Sequence, residues 1–277
     1  MEYKGLYEWG TGKLKEAGIE EAALDARLLL EECCGTDRNH LLVHGNASVT
    51  VEQNEQYVNW IEKRSGHIPL QHILGYQEFM GLRFEVDDSV LIPRQDTETL
   101  VEEVLRSLHD GMSLLDMCTG SGCILLSLLK YSNGCKGIGC DISEKAIEKA
   151  RTNAGNLGLE AEFLQSDLFE NVSGKYEIIV SNPPYIPSGE IPGLMEEVKD
   201  HDPAVALDGG EDGLFFYREI IPKAKEYLYP GGMLFLEIGC EQGADVKELM
   251  EQADYKDILV CEDFTGRDRV VSGRFGG

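Results

Sequence analysis

At 277 residues the chain is long enough for a full α/β domain plus a smaller one, and 42% hydrophobic and 27% charged residues are ordinary for a globular protein. Fifty Asp and Glu against 25 Lys and Arg leave a formal charge of −25, which repels a phosphate backbone and argues against broad nucleic-acid binding while leaving a basic partner open. Eight cysteines without a C-x-x-C pair, no signal pattern at the N-terminus and no apolar run approaching a membrane span point to buried thiols in a reducing cytoplasm, not to disulfides, structural zinc or secretion.

Residues 1–75 read as a small helical bundle. Glu20 to Cys33 carries Ala23, Leu24, Leu28 and Leu30 at helical spacing, and Thr36 to His44 gives a shorter pattern. Thr50-Val51-Glu52-Gln53 has the form of a capping box opening a helix that buries Tyr57, Trp60 and Ile61. His40 and His44 share a helix face without a third ligand nearby, so no metal site is expected. Pro69 and the breakers around it interrupt any helix through 64–75, and Phe79 to Val86 alternates about Gly81 as a β-hairpin does, making 76–95 a linker between domains. Asp96 or Thr97 is placed to cap a helix through Leu100, Val101, Val104, Leu105 and Leu108, with Arg94 and Glu98 near enough to face a ligand.

From Met112 onward strands and helices alternate, so 96–277 is expected to form a parallel sheet covered on both faces. Ser113 to Met117 is the first strand, and Cys118-Thr119-Gly120-Ser121-Gly122 turns into a helix near Cys123. Glycines in such a turn let backbone approach a ligand, and the helix start offers free N–H donors. The second strand, Lys136 to Cys140, ends at Asp141, an acid placed to accept hydrogen bonds from ribose hydroxyls. Because Gly120-Ser121-Gly122 is followed by Cys123, Ile124 and Leu125, the third glycine of a dinucleotide fingerprint is missing. A mononucleoside without phosphate fits better, and S-adenosylmethionine is the common case. A third strand, Ala161 to Gln165, leads into Asp167, expected to accept from an adenine amino group with Phe169 beside the ring; the alternative is a helix cap and a core aromatic.

The fourth strand, Tyr176 to Val180, delivers Ser181-Asn182-Pro183-Pro184-Tyr185 to its carboxyl end, where open α/β sheets place ligands. Two consecutive prolines cannot continue a ladder, and they stiffen the turn. The amide oxygen of Asn182 and the carbonyl of Pro183 supply two fixed acceptors, and Tyr185 supplies a flat face, an arrangement suited to a planar NH2 group. The polar loop from Ile186 to Asp208 is placed to close over a substrate. A helix from Gly213 to Tyr227, a fifth strand from Gly231 to Gly239, and a last pair at Ile258 to Glu262 and Val270-Val271 complete the chain.

With these motifs placed, the sequence resembles the HemK/PrmC family of S-adenosylmethionine-dependent methyltransferases that modify the glutamine of the Gly-Gly-Gln motif in peptide-chain release factors. The likeness runs through His67-Ile68-Pro69-Leu70-Gln71-His72, Ile92-Pro93-Arg94, Thr97-Glu98, Ala206-Leu207-Asp208-Gly209-Gly210, Asp212-Gly213-Leu214 and Gly266-Arg267-Asp268-Arg269. It implies a seven-stranded Rossmann-like domain, a substrate-docking helical domain, and a monomer acting in the cytoplasm on a release factor, without nucleic acid or membrane. It further implies that Cys118, Thr119, Gly120, Ser121, Gly122, Asp141, Asp167, Phe169 and Asn182 hold the cofactor (and its product, S-adenosylhomocysteine), and that Asn182, Pro183, Pro184 and Tyr185 bind the glutamine. Of these, Asn182, Pro183 and Tyr185 carry the chemistry. Cys118 stands where the family usually has glycine and Gln95 where proline is usual. Two other readings share the motif: an adenine-N6 DNA methyltransferase, disfavoured by the charge, and a non-catalytic S-adenosylmethionine-binding protein, disfavoured by the completeness of the Asn182 turn.

Overall fold

A computed structural model describes residues 1–276, and the chain divides into two compact units: residues 1–76 together with 195–201, and residues 77–194 together with the chain from Asp202 onward. The first unit is helical, with α1 (Tyr3–Glu16), α2 (Ala22–Cys34), α3 (Arg38–Val43), α4 (Val51–Ser65) and α5 (Leu70–Leu74). Leu6 and Leu14 of α1, Leu29 and Leu30 of α2, and Tyr57 and Ile61 of α4 are fully buried together. The capping box forms: Thr50 Oγ1 accepts from the Gln53 amide, and Gln53 Oε1 accepts from the Thr50 amide.

Helix α1 is absent from the sequence pattern because three glycines interrupt its sparse apolar face. The buried face of α2 is Ala22, Asp25, Ala26, Leu29 and Leu30; Ala23 and Leu24 are exposed, contrary to expectation. The reason is a charged residue inside the apolar stripe. Asp25 is buried because Arg64 of α4 donates to it at 2.7 Å, and the same guanidinium donates to Glu197 at 2.6 Å, holding 195–201 within this unit. Burial lifts the Asp25 carboxyl against the opposing pull of Arg64. Trp60, expected in the core, is only half-buried.

The second unit opens with a hairpin, β1 (Tyr76–Phe79) and β2 (Leu82–Glu85), turning at Met80-Gly81. Phe79 and Phe84 pack edge to face in the core, 6.1 Å apart. Then follow α6 (Glu98–Ser107), β3 (Ser113–Met117), α7 (Cys123–Lys130), β4 (Lys136–Asp141), α8 (Glu144–Leu157), β5 (Glu162–Gln165), β6 (Tyr176–Ser181), the one-turn α9 (Glu196–Lys199, in the helical unit), α10 (Phe215–Ala224), β7 (Leu228–Glu237), α11 (Gly243–Gln252), β8 (Lys256–Glu262) and β9 (Asp268–Arg274). The strands form one seven-stranded sheet in the order β5-β4-β3-β6-β7-β9-β8. All neighbours are parallel except β9, which runs antiparallel to β7 and β8.

Alternate strand residues feed two cores, Leu115 and Ile179 on one face and Leu114, Ile178 and Val180 on the other, as a doubly covered sheet requires. Strand order reverses at β3, whose successors β4 and β6 lie on opposite sides, and such a switch point opens a crevice at the carboxyl ends of the strands. Helix α11 escapes the sequence pattern because its buried face is little more than Val246 and Met250.

Candidate active site

The floor of the crevice is the turn between β3 and α7. Cys118 has φ +59° and Gly122 φ +80°, so both lie in the left-handed region, which only glycine enters without strain. At Gly122 a side chain would also meet Ala150 and Leu126 at 3.2 Å, which fixes how closely α7 and α8 approach. Below the turn, Asp116 is fully buried. Its Oδ2 accepts from the Thr119 hydroxyl at 2.6 Å and the Leu125 amide at 3.3 Å, while Oδ1 has no hydrogen-bond partner among the described residues. Burial, with the charge of Asp141 nearby, pushes its carboxyl up to about 7. Asn153 of α8 ties the hairpin to this turn, donating to the carbonyls of Ser121 at 2.9 Å and Glu85 at 3.1 Å while accepting from the Glu85 amide.

Asp141, at the end of β4, accepts from the Gly120 and Ser143 amides, both at 2.9 Å, one on each oxygen. A carboxylate offers about four lone-pair positions, so both oxygens retain capacity for ligand hydroxyls. Burial raises its pKa from the usual range.

The crevice encloses a cavity of about 290 Å³, near the lower end of small-molecule sites. Cys118, Thr119, Gly120, Ser121, Asp141 and Asp167 line it, and Asn182 and Pro184 close it from the β6 side. Gly122 stands behind the lining as the start of α7. Phe169 does not reach the cavity: it is 5% exposed and stacks on Tyr227 at 4.6 Å, the core-aromatic alternative. Leu168, whose backbone is left-handed, faces the cavity instead, together with Ile142. An apolar residue left exposed directly after a strand-end acid, as Ile142 is, was the available signal.

Strand β6 ends at Ser181, whose hydroxyl donates to the Met117 carbonyl at 2.8 Å and ties the turn to β3. Asn182 then donates its Nδ2 to Thr97 Oγ1 at 3.3 Å. Pro183 is buried, and neither it nor Tyr185 borders the cavity. The Tyr185 carbonyl accepts from Gln242 Nε2 at 3.0 Å, and burial raises the Tyr185 phenol, with the charge of the buried Glu237 carboxyl adding to the effect. The Thr97 hydroxyl does not cap α6 because it faces Asn182, and Asp96 pairs with Arg269 at 3.1 Å. Arg94 lines the cavity and is paired with Asp202, whereas Glu98 turns away and accepts from the Met80 amide at 2.6 Å.

The chain beyond Tyr185 is clamped by the segment around Asp208. Ile186 donates to the Leu207 carbonyl at 3.0 Å, Gly209 donates to the Ile186 carbonyl at 2.8 Å, and Ser188 donates to the Gly210 carbonyl at 2.8 Å and through its hydroxyl to Asp208 at 2.6 Å. Two site neighbours lay outside the sequence reading: Thr97 in a ligand-facing role, and Glu237. A carboxylate closing the apolar run Met233-Leu234-Phe235-Leu236 repeats the pattern of Asp116 and Asp141 and was the signal for the second. Among the described residues, His, Cys, Asp and Glu nowhere gather in threes fit to hold a metal ion, and no helix is long and apolar enough to cross a membrane.

Two family models match, the PrmC N-terminal domain over residues 5–75 and the methyltransferase small domain over 95–197. The chain is 42% identical over 272 residues to the release factor glutamine methyltransferase of Geobacter sulfurreducens, covering 98% of this chain and 96% of that one. It is 39% identical to that of Caulobacter vibrioides, covering 96% and 94%. Among solved structures, a 16S rRNA methyltransferase of T. thermophilus in complex with AdoMet and guanosine superposes with a TM-score of 0.53 at 18% identity, over 72% of this chain and 49% of that one. At that identity the likeness is one of fold.

Proposed function

The chain belongs to the release factor glutamine methyltransferase family, and from that premise we infer that it is an S-adenosylmethionine-dependent enzyme that methylates the side-chain amide nitrogen (N5) of the glutamine in the Gly-Gly-Gln motif of a peptide-chain release factor. The observation that carries the reading is the placement of Asn182 on the wall of the same cavity that Cys118, Thr119, Gly120, Ser121 and Asp141 line. The residues present fit the cofactor: a backbone turn open at Gly120, an acid with spare acceptor capacity, apolar walls at Ile142 and Leu168, and a second acid at Asp167. When bound, S-adenosylmethionine supplies an electrophilic methyl group.

An amide nitrogen is a poor nucleophile because its lone pair is delocalised into its carbonyl. Asn182 Oδ1, on the cavity wall, is assigned as one acceptor for its N–H bonds; the Pro183 carbonyl as the second acceptor and Tyr185 as the flat face are assigned from the motif, since neither borders the cavity as the structure describes it. Acceptors fixed by a stiff turn strengthen their hold as positive charge develops on nitrogen, so they favour the transition state over the ground state. Orientation supplies much of the remainder. The nitrogen's proton becomes acidic only then, so no group with a tuned pKa is needed beforehand.

We assign docking of the release factor to the helical domain (1–75), a linking role to 76–95 and transfer to 96–277, in a cytoplasmic monomer that makes no direct contact with nucleic acid. The test is transfer of labelled methyl to a purified release factor by the wild type and by Asn182→Ala. Loss of transfer with cofactor affinity retained supports the reading. Near-normal turnover by the variant, or labelling of DNA adenine instead of the release factor, overturns it.

A further inference from the structure

On the reading of the site given above, we propose that Gln242 is a positioning residue for the transfer: its side-chain amide holds the far end of the Asn182 turn by the Tyr185 carbonyl and so fixes where Asn182 stands on the cavity wall.

The near end of the turn is pinned by Ser181, whose hydroxyl donates to the Met117 carbonyl of β3 at 2.8 Å. Pro183 and Pro184 have fixed φ and no N–H, so the residues between add stiffness and no backbone donors. The far end is held by Gln242, which stands just before α11. Its Nε2 donates to the Tyr185 carbonyl at 3.0 Å and to the Gly213 carbonyl at 3.3 Å, while its Oε1 accepts from the Gly239 amide at 2.9 Å, with the Tyr217 hydroxyl 3.5 Å from the same oxygen. Backbone carbonyls only accept and a backbone amide only donates, so these partners admit one orientation of the side chain. A half-turn would set its oxygen against two carbonyls and its NH2 group against an N–H. One residue thereby joins the chain just past β7, the segment returning at Gly213 and the last residue of the motif.

The backbone around Tyr185 is shaped for that grip. A Cβ at Gly209 would stand 2.8 Å from the Tyr185 Cα and carbonyl carbon, one at Gly213 would overlap the Tyr185 carbonyl oxygen, and one at Gly239 would lie 3.0 Å from Gln242 Oε1 and 3.5 Å from the Tyr185 ring. Three glycines therefore close around the contact where side chains would force it apart. With stiff prolines between, a shift at Tyr185 is passed on to Asn182 and not absorbed on the way. A misplacement of about 1 Å at a group that holds a reacting atom costs about a hundredfold in rate.

The test compares the full-length wild type with two variants, each assayed on a release factor well below its own Tm. Gln242→Met keeps the length of the side chain and removes its hydrogen bonds. Gln242→Glu keeps the acceptor for Gly239 and sets a carboxyl oxygen against the Tyr185 and Gly213 carbonyls. In Gln242→Met, kcat is expected to fall about tenfold to a hundredfold with kcat/KM falling in step, the pattern of a misplaced reacting group and not of lost substrate binding. The glutamate variant gives a readout that lost packing alone would not move. Only its protonated carboxyl donates to the Tyr185 carbonyl, so its kcat relative to wild type rises as pH falls through the titration of that carboxyl, whereas the ratio for Gln242→Met stays flat. A third readout needs no substrate: the Tyr185 carbonyl carbon, selectively labelled and followed by NMR, is expected to move upfield in Gln242→Met as its hydrogen bond is lost. Equal kcat in Gln242→Met and wild type, a Gln242→Glu ratio that does not change with pH, or an unmoved Tyr185 resonance would each overturn the proposal. A wild type inert on release factors refutes the functional reading and the positioning role with it, while an active wild type matched by Gln242→Met refutes the positioning role alone.

Discussion

Replacing Gly213 by alanine tests whether the Asn182 turn is held by the segment that follows it. Gly213 has φ +74°, and a Cβ there would overlap the Tyr185 carbonyl oxygen, lie 2.6 Å from Gln242 Nε2 and touch Pro187 at 3.3 Å. The left-handed backbone costs alanine about 1–2 kcal/mol, of which about 0.5–1 kcal/mol returns through the smaller entropy of the unfolded chain. Overpacking adds about 1–3 kcal/mol. The net loss is about 1–4 kcal/mol, and at roughly 2–4 °C per kcal/mol for a domain of this size the Tm falls by about 2–16 °C. Because the group struck is the backbone of Tyr185, the relief is displacement of the turn that carries Asn182. Scanning calorimetry then shows the lower Tm, and steady-state kinetics show kcat falling by about tenfold or more. A Tm within a degree or so of wild type together with unchanged kcat would show that the segment does not support the turn, and the reasoning would fail.

Asp141→Ala removes the acceptor for the Gly120 and Ser143 amides as well as the capacity left for ligand hydroxyls, and calorimetry is expected to show cofactor affinity weakened about tenfold to a hundredfold; an unchanged Kd counts against Asp141. Alkylation followed by mass spectrometry is expected to label the exposed Cys240 first and the buried Cys123 and Cys140 last, because burial both shields these thiols and raises them above their ordinary range; rapid labelling of either refutes this. Asp116 and Glu237, each pushed up to about 7 by burial, bind their protons more tightly in the folded than in the unfolded chain. Their contribution therefore favours the fold at acid pH and is lost as pH rises from the ordinary carboxylate range through about 7. Asp116→Asn is expected to gain in Tm relative to wild type between about pH 5 and about pH 8, and parallel Tm curves would refute the assignment.

The transferase sheet was legible because its strands are short apolar runs closed by turn residues, and because strand-end acids and glycine turns have local signatures. The positions of Asp141 and of the Asn182 turn at strand ends beside the cavity belong to that class. Three features were hidden for identifiable reasons. The buried face of α2 was misread because Asp25 occupies a core position, which a charge can do only with Arg64 beside it, and that partner is 39 residues away. Phe169 was placed at the cofactor because an aromatic after an acid suits a ring, yet the left-handed backbone at Leu168 turns the sequence by one residue and exchanges which side chain faces in. The Thr97 hydroxyl looked like a helix cap because threonine before a helix usually is one; its use by Asn182 depends on a contact across 85 residues.

The same division explains how a short motif can serve different substrates. Asn-Pro-Pro-Tyr specifies two acceptors and a flat face, and nothing local to it specifies which way the asparagine amide points or what is admitted to it. The chain from Ile186 to Gly213 follows Tyr185, returns to pair Ile186 with Asp208, and is expected to govern what is admitted. A protein of formal charge −25 sets an unfavourable field around that opening for any nucleic acid. A change of substrate in this fold is expected to leave Asn182, Pro183, Pro184 and Tyr185 intact and to rewrite the 186–213 segment and the surface around it.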